Sequence, residues 1–368
     1  MVLSKHDIAT AAARAFQTNG EVVSIAAYGS GHIHDTFCVT CFAENRPARF
    51  ILQRINTAIF KDPVAVMQNI ERVTVHLATR VSADTLLTSD RDRRVLTLIP
   101  SRSECSWHVD EHGNYWRTYR FIERARSYET VESPAQAFQA ARAFGRFQQM
   151  LADLPPSELH ATIPDFHHTP KRFAALELAI AADKANRATG AKTEIDFALA
   201  HRPIAGALVG ANLPERVTHN DTKLNNVLFD ESTGEAICVI DLDTVMPGLA
   251  AYDFGDQVRT TSSPASEDEQ DLSKVSMRLP VFEALARGYL DAAAGFLTQN
   301  EKDHLAVAGK VITFEQGIRF LSDFLSGDPY YKVFRPGHNL DRCRTQFKLV
   351  ESIEQQEEEM FRLVESIG

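Results

Sequence analysis

The chain is poor in the features that mark several large protein classes. No apolar run in its 368 residues approaches the ~20 needed to span a membrane as a helix. Met1-Val-Leu-Ser-Lys-His-Asp7 has no hydrophobic stretch of the kind a secretion signal carries. There is no basic excess. The formal net charge is −10, the wrong sign for a general nucleic-acid binder. Cysteine is sparse: five residues, at 38, 41, 105, 238 and 343, an odd and scattered set that reads as reduced thiols and not as a disulfide framework. Cys38 and Cys41 form a C-x-x-C, but within strand-like Phe37–Phe42, where residues three apart face opposite sides. No second pair follows to complete a zinc site. A G-x-x-x-x-G-K-[ST] phosphate loop is absent, which disfavours a P-loop fold. Internal repeats and low-complexity linkers are absent too. The reading is a soluble, cytoplasmic protein with neither nucleic-acid nor membrane partners, and no oligomeric state follows from it.

What is present is an ordinary globular composition, 44% hydrophobic, in a chain too long for one core. Residues 4–19 read as a helix, with Ser4 as N-cap and Asn19-Gly20 as stop. Val22–Ile25, Thr36–Phe42 and Arg49–Arg54 are rich in β-branched and aromatic residues and read as strands. Val66, Ile70, Val73 and Leu77 repeat at helical spacing over 63–79. Two more strands are expected near 94–99 and 115–122, with Asp110-Glu-His-Gly-Asn114 as the turn between them. Beyond about residue 125 the pattern is helical: from Pro134, from Lys171 to Ala188 closing at Gly190, and over 281–295, 302–326 and 340–366. The acidic run Glu354–Glu359 reads as a solvated face of the last helix. The fold class is therefore α+β in two lobes, an antiparallel β lobe with one inserted helix and a mainly helical lobe.

The most informative stretch is Val217-Thr-His-Asn-Asp-Thr-Lys-Leu-Asn-Asn-Val-Leu-Phe229. His219-x-Asp221 is followed five residues later by Asn226, the spacing of the protein-kinase catalytic loop. There the Asp orients the acceptor hydroxyl and the Asn binds Mg²⁺. A turn at Glu231-Ser-Thr-Gly-Glu235 and a second strand ending in Asp241-Leu-Asp243 make a β-hairpin. A turn centred near 233 places Asn226 roughly opposite Asp241, so one hairpin delivers a carboxamide and a carboxylate to one hard cation. Asp243 is either a second metal ligand or a brace for the loop. These parts point to a protein-kinase-like two-lobed fold. Residues 1–123 form its nucleotide-binding lobe and 124–368 its catalytic and substrate-binding lobe, with the crossing near 121–128.

On the nucleotide side, Tyr28-Gly29-Ser30-Gly31-His32 is a glycine-bearing turn between the first two strands, where a kinase covers the phosphates of ATP. A kinase also wants a basic residue on the third strand and a Glu on the inserted helix. Gln53-Arg54 and Glu71 are the candidates. Strand alternation lets only one of Gln53 and Arg54 face the cleft, and Arg54 at an exposed strand end is the alternative.

Together these segments resemble the N-acetylhexosamine 1-kinases of the aminoglycoside phosphotransferase and choline kinase superfamily. The similarity runs through His219–Asn226, Ile240–Gly248, Tyr252-Asp-Phe-Gly-Asp256, Phe50–Arg54 and Arg117-x-Tyr-x-Phe-Ile-Glu123. It continues in Phe166-His-x-Thr-Pro-x-Arg-Phe173, Gly317-x-Arg-Phe-Leu321, His338-Asn-Leu340 and Arg344-Thr-Gln346. It implies ATP and Mg²⁺ as cofactors and phosphorylation of the anomeric hydroxyl of N-acetylglucosamine or N-acetylgalactosamine. Asp221 is then the catalytic carboxylate, with Asn226, Asp241 and Asp243 at the metal. Tyr28, Gly29, Gly31, Arg54, Glu71, Phe121 and Glu123 fall on the nucleotide side, and His32, Arg319 and Tyr330 beside the sugar. Arg319 sits four after Glu315, so a helix ion pair is its other reading; Tyr330 reads equally as a packing residue. His34 departs from the Asn common in this branch, and the third-strand lysine is missing from the branch as a whole. The alternatives are an aminoglycoside or other small-molecule hydroxyl phosphotransferase, or a non-catalytic nucleotide-binding module. Such a module would lose Asp221, Asn226 or Asp241, and all three are present.

Overall fold

The structure, a computed structural model, describes residues 4–29, 33–43, 46–84 and 90–368. The first helix, α1 (Lys5–Ala13), starts at a capping box in which Ser4 and Asp7 each bond the other's backbone N–H. It stops well short of Asn19. Phe16 is buried and bridges to Ser101, and the Gln17 N–H donates to the Pro100 carbonyl, so the sheet claims these residues before the helix can. Then come β1 (Glu21–Ala27), β2 (Asp35–Ala43), β3 (Arg46–Arg54), α2 (Pro63–Ala83), β4 (His108–Val109) and β5 (Tyr115–Arg120). The sheet is antiparallel and five-stranded in the order β1-β2-β3-β5-β4. Residues 94–99 are not the fourth strand. They touch β5 through a single bridge, Leu98 to Tyr119, and the hairpin partner of β5 is the short β4. The Asp110–Asn114 turn forms as expected, the Asp110 carboxylate accepting from the N–H groups of His112 and Asn114.

One sheet face packs on α1 through Val39, Cys41, Leu52 and Trp116. On the other side, α2 buries Val66, Ile70, Val73 and Leu77 in a core that continues into the helical lobe at Phe144, Phe147, Val227 and Leu242. The two lobes thus share apolar packing around α2.

The second lobe runs β6 (Ala125–Arg126), α3 (Pro134–Met150), α4 (Thr169–Ala182), α5 (Lys192–Ala200), β7 (Glu215–Thr218), β8 (Val227–Asp230), β9 (Ala236–Val239), β10 (Met246–Leu249), α6 (Ala250–Thr261), α7 (Leu279–Ala293), α8 (Gln299–Asp303), α9 (Leu305–Leu325), α10 (His338–Glu354) and α11 (Glu357–Ile367). Two expected helices are cut. α4 ends at Ala182 because Asp183 turns left-handed, and its carboxylate accepts from the N–H groups of Arg187 and Ala188. The last helix breaks at Gln355-Gln356. Glu357, Glu358 and Glu359 therefore occupy the first turn of α11, where acidic side chains complement the helix dipole, and not one continuous solvated face.

α3 and α7 cross at backbone contact. A Cβ on Gly145 would lie 2.6 Å from the Tyr289 carbonyl oxygen, and one on Gly288 would lie 2.2 Å from that of Phe138. We expect Gly288→Ala to destabilise the fold by about 1–3 kcal/mol, the usual cost of overpacking. This outweighs the gain of about 1 kcal/mol in helix propensity. Urea unfolding checks it; a midpoint at or above wild type would mean that the two helices separate freely.

Candidate active site

The catalytic loop, His219–Asn226, leaves β7 and enters β8. Its backbone is held from beneath by the first turns of α6. The Asp253 carboxylate accepts from the N–H groups of His219 (2.9 Å) and Asn220 (2.7 Å), and that of Asp256 from the Thr222 N–H (2.8 Å). Carboxylates three apart share one helix face, so Tyr252-Asp-Phe-Gly-Asp256 works as a two-pronged clamp. His219 is fully buried. Its Nδ1 accepts the Asp221 N–H, so Nε2 carries the proton and donates to the Ile240 carbonyl at 2.9 Å. It thereby ties the loop to the residue before Asp241.

Asp221 is the one carboxylate within this loop. Lys223 Nζ lies 2.8 Å from Asp221 Oδ1, and Asn226 Nδ2 donates to Asp221 Oδ2 at 3.1 Å. Burial opposes charge on Asp221, but the positive charges of Lys223 and Arg259 outweigh it and hold the carboxyl below its usual range. It is an ionised acceptor at neutral pH. The Asp221 charge in turn raises Lys223. Lys223 was not among the residues singled out from sequence; its one signal was its place two residues after Asp221.

The Ile240 N–H donates to the Asn226 carbonyl at 2.9 Å, so Asn226 stands beside Ile240 in the ladder, with Asp241 next along the chain. Asp241 then turns left-handed, at φ 61°. Partial loss of hydration, then the neighbouring Asp243 and Asp221 charges, push the Asp241 carboxyl well above the usual carboxylate range, although its side chain still reaches solvent. Such crowding of negative charge is what a divalent cation relieves, and a carboxylate with a carboxamide oxygen suits a hard one. Asp243 is differently placed. Its two oxygens accept a bidentate pair from Arg117 on β5, at 2.7 and 2.6 Å, and His34 Nε2 stands 3.4 Å away. Ligand atoms of His34, Asp241 and Asp243 lie within 4.8 Å of one another. His34 Nδ1, however, accepts the Asn56 N–H (3.1 Å), which leaves the proton on Nε2 facing Asp243. His34 and Arg117 therefore brace Asp243, and Asp241 is the carboxylate left for a metal.

On the nucleotide side, Tyr28 closes the β1–β2 hairpin through its N–H to the Thr36 carbonyl, and Gly29 takes a left-handed φ of +78°. Gly31 and His32 lie outside the described residues. Tyr28 meets Phe121 edge-on at 5.6 Å, and the Arg49 guanidinium sits 3.9 Å above Phe121 while pairing with Glu123. Tyr28, Phe121 and Glu123 are thus gathered around Arg49, where the chain leaves the sheet. The expected Arg54–Glu71 pair does not form. Ile51 and Gln53 share the face toward α2 and the cleft, whereas Arg54 lies on the α1 face with Leu52 and pairs with Asp35. Glu71 is exposed because Ile70, Val73 and Thr74 take the buried side of α2.

On the acceptor side, Glu315 is bound to His167 (2.8 Å) and Thr169 (2.7 Å), so the helix ion pair with Arg319 is not made. The Arg319 guanidinium lies over Phe166 at 5.3 Å and Tyr331 at 5.9 Å, and donates to Gln316 Oε1. Arg172 donates to the Phe166 carbonyl; burial and the nearby Arg319 charge hold it below its ordinary value. Among the described residues neither arginine has a carboxylate partner. His167 Nε2 lies 3.0 Å from the Asn220 carbonyl oxygen, which ties this cluster to the loop that carries Asp221. Tyr330 is 61% exposed beside Tyr331. Arg172 and Tyr331 were not singled out from sequence.

The chain resembles solved kinases and phosphotransferases along nearly its whole length. An aminoglycoside phosphotransferase from Alicyclobacillus acidocaldarius superposes with a TM-score of 0.60 at 11% identity, covering 100% of this chain and 97% of that one. A microcompartment-associated aminopropanol kinase gives 0.58 at 14%, covering 96% and 98%. A spectinomycin phosphotransferase solved with ADP and spectinomycin gives 0.52 at 12%, covering 92% and 94%. At these identities the likeness establishes the fold, a protein-kinase-like antiparallel sheet with a helical lobe. No helix among the described residues is long and apolar enough to cross a membrane. The profile of the phosphotransferase enzyme family (APH) matches residues 24–295, a span holding Asp221, Asn226 and Asp241, and the chain belongs to that family.

Proposed function

We propose that the protein is an ATP- and Mg²⁺-dependent sugar kinase acting on the anomeric C1 hydroxyl of N-acetylhexosamines. The kinase part rests on one observation: the Asp221 carboxylate is flanked by Lys223 and Asn226, and Asn226 bonds Ile240, the residue before Asp241. Residues 1–123 would cover the nucleotide and 124–368 supply the catalytic and acceptor groups. Tyr28, Phe121 and Glu123 line the crossing on the nucleotide side. Asn226 and Asp241 would hold the cation, which when bound neutralises charge on the phosphate oxygens. Asp221 would orient the acceptor hydroxyl in line and receive its proton as the new O–P bond forms and the bond from the γ-phosphorus to the bridging oxygen breaks, releasing ADP. Lys223 keeps Asp221 ionised and adds positive charge beside the acceptor oxygen.

The acceptor class is supported by charge. Arg172 and Arg319, two guanidiniums without a carboxylate ion-pair partner among the described residues, flank Phe166. A polycationic antibiotic would be repelled there. A neutral sugar instead offers hydroxyl and acetamide oxygens as acceptors, and Tyr330 and Tyr331 offer apolar ring faces. The aminoglycoside alternative predicts an acidic lining, which these residues do not provide.

Asp221→Asn should retain ATP binding and lose turnover by a factor on the order of 10²–10⁴, as for a removed base or orienter. Steady-state kinetics beside nucleotide titration would show this, and turnover within a few-fold of wild type would overturn the role. The pH profile gives a second check. Lys223 holds the Asp221 pKa down, so Lys223→Met should raise it. Asp221 then protonates earlier as pH falls, and the acid limb of kcat/KM moves to higher pH. An unmoved or lowered limb would contradict the pairing. Finally, the product should lose its reducing end and 1-O-methyl glycosides should be inert. Arg319→Ala should raise the sugar KM well above any change in that for ATP. A product that still reduces copper reagents would reassign the hydroxyl but not the kinase chemistry.

A further inference from the structure

A kinase-type site needs a cation reaching from the N-terminal sheet toward the phosphates, oriented by a partner. β3 does not supply it here. Its cleft-facing residue is Gln53, Arg54 is spent on Asp35 on the opposite face, and Glu71 is exposed on α2. The neighbouring strand brings one to the same place. Arg117 on β5 is the cross-strand partner of Gln53, and Gln53 is that of Thr36 on β2. These three side chains form a relay: Gln53 Nε2 donates to Thr36 Oγ1 at 3.1 Å, and Arg117 Nε donates to Gln53 Oε1 at 2.9 Å. The guanidinium is thereby aimed out of the sheet, and both of its Nη atoms meet Asp243. Arg117 is 1% exposed and Asp243 3%.

We infer that Arg117 is a positioning residue, acting through Asp243 to aim Asp241 at the nucleotide-bound cation. The geometry says why. Arg117 belongs to the sheet and Asp243 to the helical lobe, so their fork-to-fork pair joins the lobes at a point two residues past Asp241. Asp241 sits in a left-handed turn between the end of β9 and this anchored carboxylate. His34 adds a second donor from the β1–β2 side. With both Asp243 oxygens engaged, the loop cannot rotate without breaking two charge-assisted hydrogen bonds in a buried setting. Lysine would keep the charge but contact Asp243 at a single point, losing the fork.

The inference rests on the kinase reading, and one experiment separates the two. Mn²⁺ binding in the presence of ADP is followed by electron paramagnetic resonance for wild type and Arg117→Lys. Thermal melts establish that each is folded, and steady-state kinetics run alongside. Support for a residue orienting a metal ligand is a weakening of Mn²⁺·ADP binding by about 10–100-fold, as for removal of an outer-shell partner. The KM for ATP should rise and that for the sugar should not. Mn²⁺·ADP affinity within two-fold of wild type in a folded Arg117→Lys overturns it. Should that variant not fold, Gln53→Met, which removes the acceptor that aims Arg117 together with the donor to Thr36, decides: weakened Mn²⁺·ADP binding supports the relay, and unchanged binding rejects it. A wild-type protein that binds no Mn²⁺·ADP at all overturns the nucleotide-and-metal reading itself, and this proposal with it.

Discussion

The buried carboxylate of Asp253 is the constraint on which the catalytic loop depends. It is wholly removed from solvent and takes three donors, the N–H groups of His219 and Asn220 and the Gln148 side chain from α3. Without it, two backbone N–H groups of the loop would be left unpaired in the interior, at about 1–3 kcal/mol each. Gln148 in turn bonds Tyr289 on α7, and α3 reaches α7 only because Gly145 and Gly288 allow backbone contact. A packing choice between two helices therefore sets the height of the loop that presents Asp221. Asp256 and Thr222 extend the same clamp, so the loop is held along its length by one end of α6.

Three aspartates within a short span, Asp221, Asp241 and Asp243, have been given three environments. Asp221 is paired with Lys223 and stays ionised. Asp243 is locked by the Arg117 fork. Among the described residues Asp241 has no comparable cationic partner and bears the repulsion of the other two. Chemically identical groups are thus given different electrostatic settings by their neighbours alone. The assignment is electrostatic. Positive charge from the sheet is used to immobilise the middle of the cluster, and positive charge from the loop to activate its edge.

The opposite end of the cleft is built on another principle. Residues 166–172, at the start of α4, meet residues 316–331, from the end of α9, around Phe166, and the groups they bring are guanidinium and aromatic. His167 and Thr169 engage both Glu315 oxygens, so Glu315 makes no direct ion pair with Arg319. The buried network is satisfied locally, beside the guanidinium and not through it.

How much of this was legible in the residues follows from how far apart the interacting groups lie. His219, Asp221 and Asn226 share one loop. The β8–β9 hairpin is defined by a short turn and alternating apolar residues, so local spacing was enough to bring Asn226 next to the Asp241 strand end. The antiparallel sheet, α2 and the helical lobe were likewise visible in periodicity, because burial of one face imposes it. The ends of elements were less so. Phe16 left its helix for a sheet bridge and residues 94–99 yielded their strand to His108-Val109, since both outcomes are settled by partners distant in sequence. The choice between Gln53 and Arg54, the engagement of Glu315 by His167 and the fork of Arg117 on Asp243 depended wholly on tertiary structure. Strand register and the packing of the lobes bring positions 36, 53, 117 and 243 together, the bonded pairs lying between 17 and 126 residues apart. The sequence by itself determined which chemistry the loop around Asp221 offers. Only the folded chain decided which cation stands behind it, because a charge acts through distance in space and not along the chain.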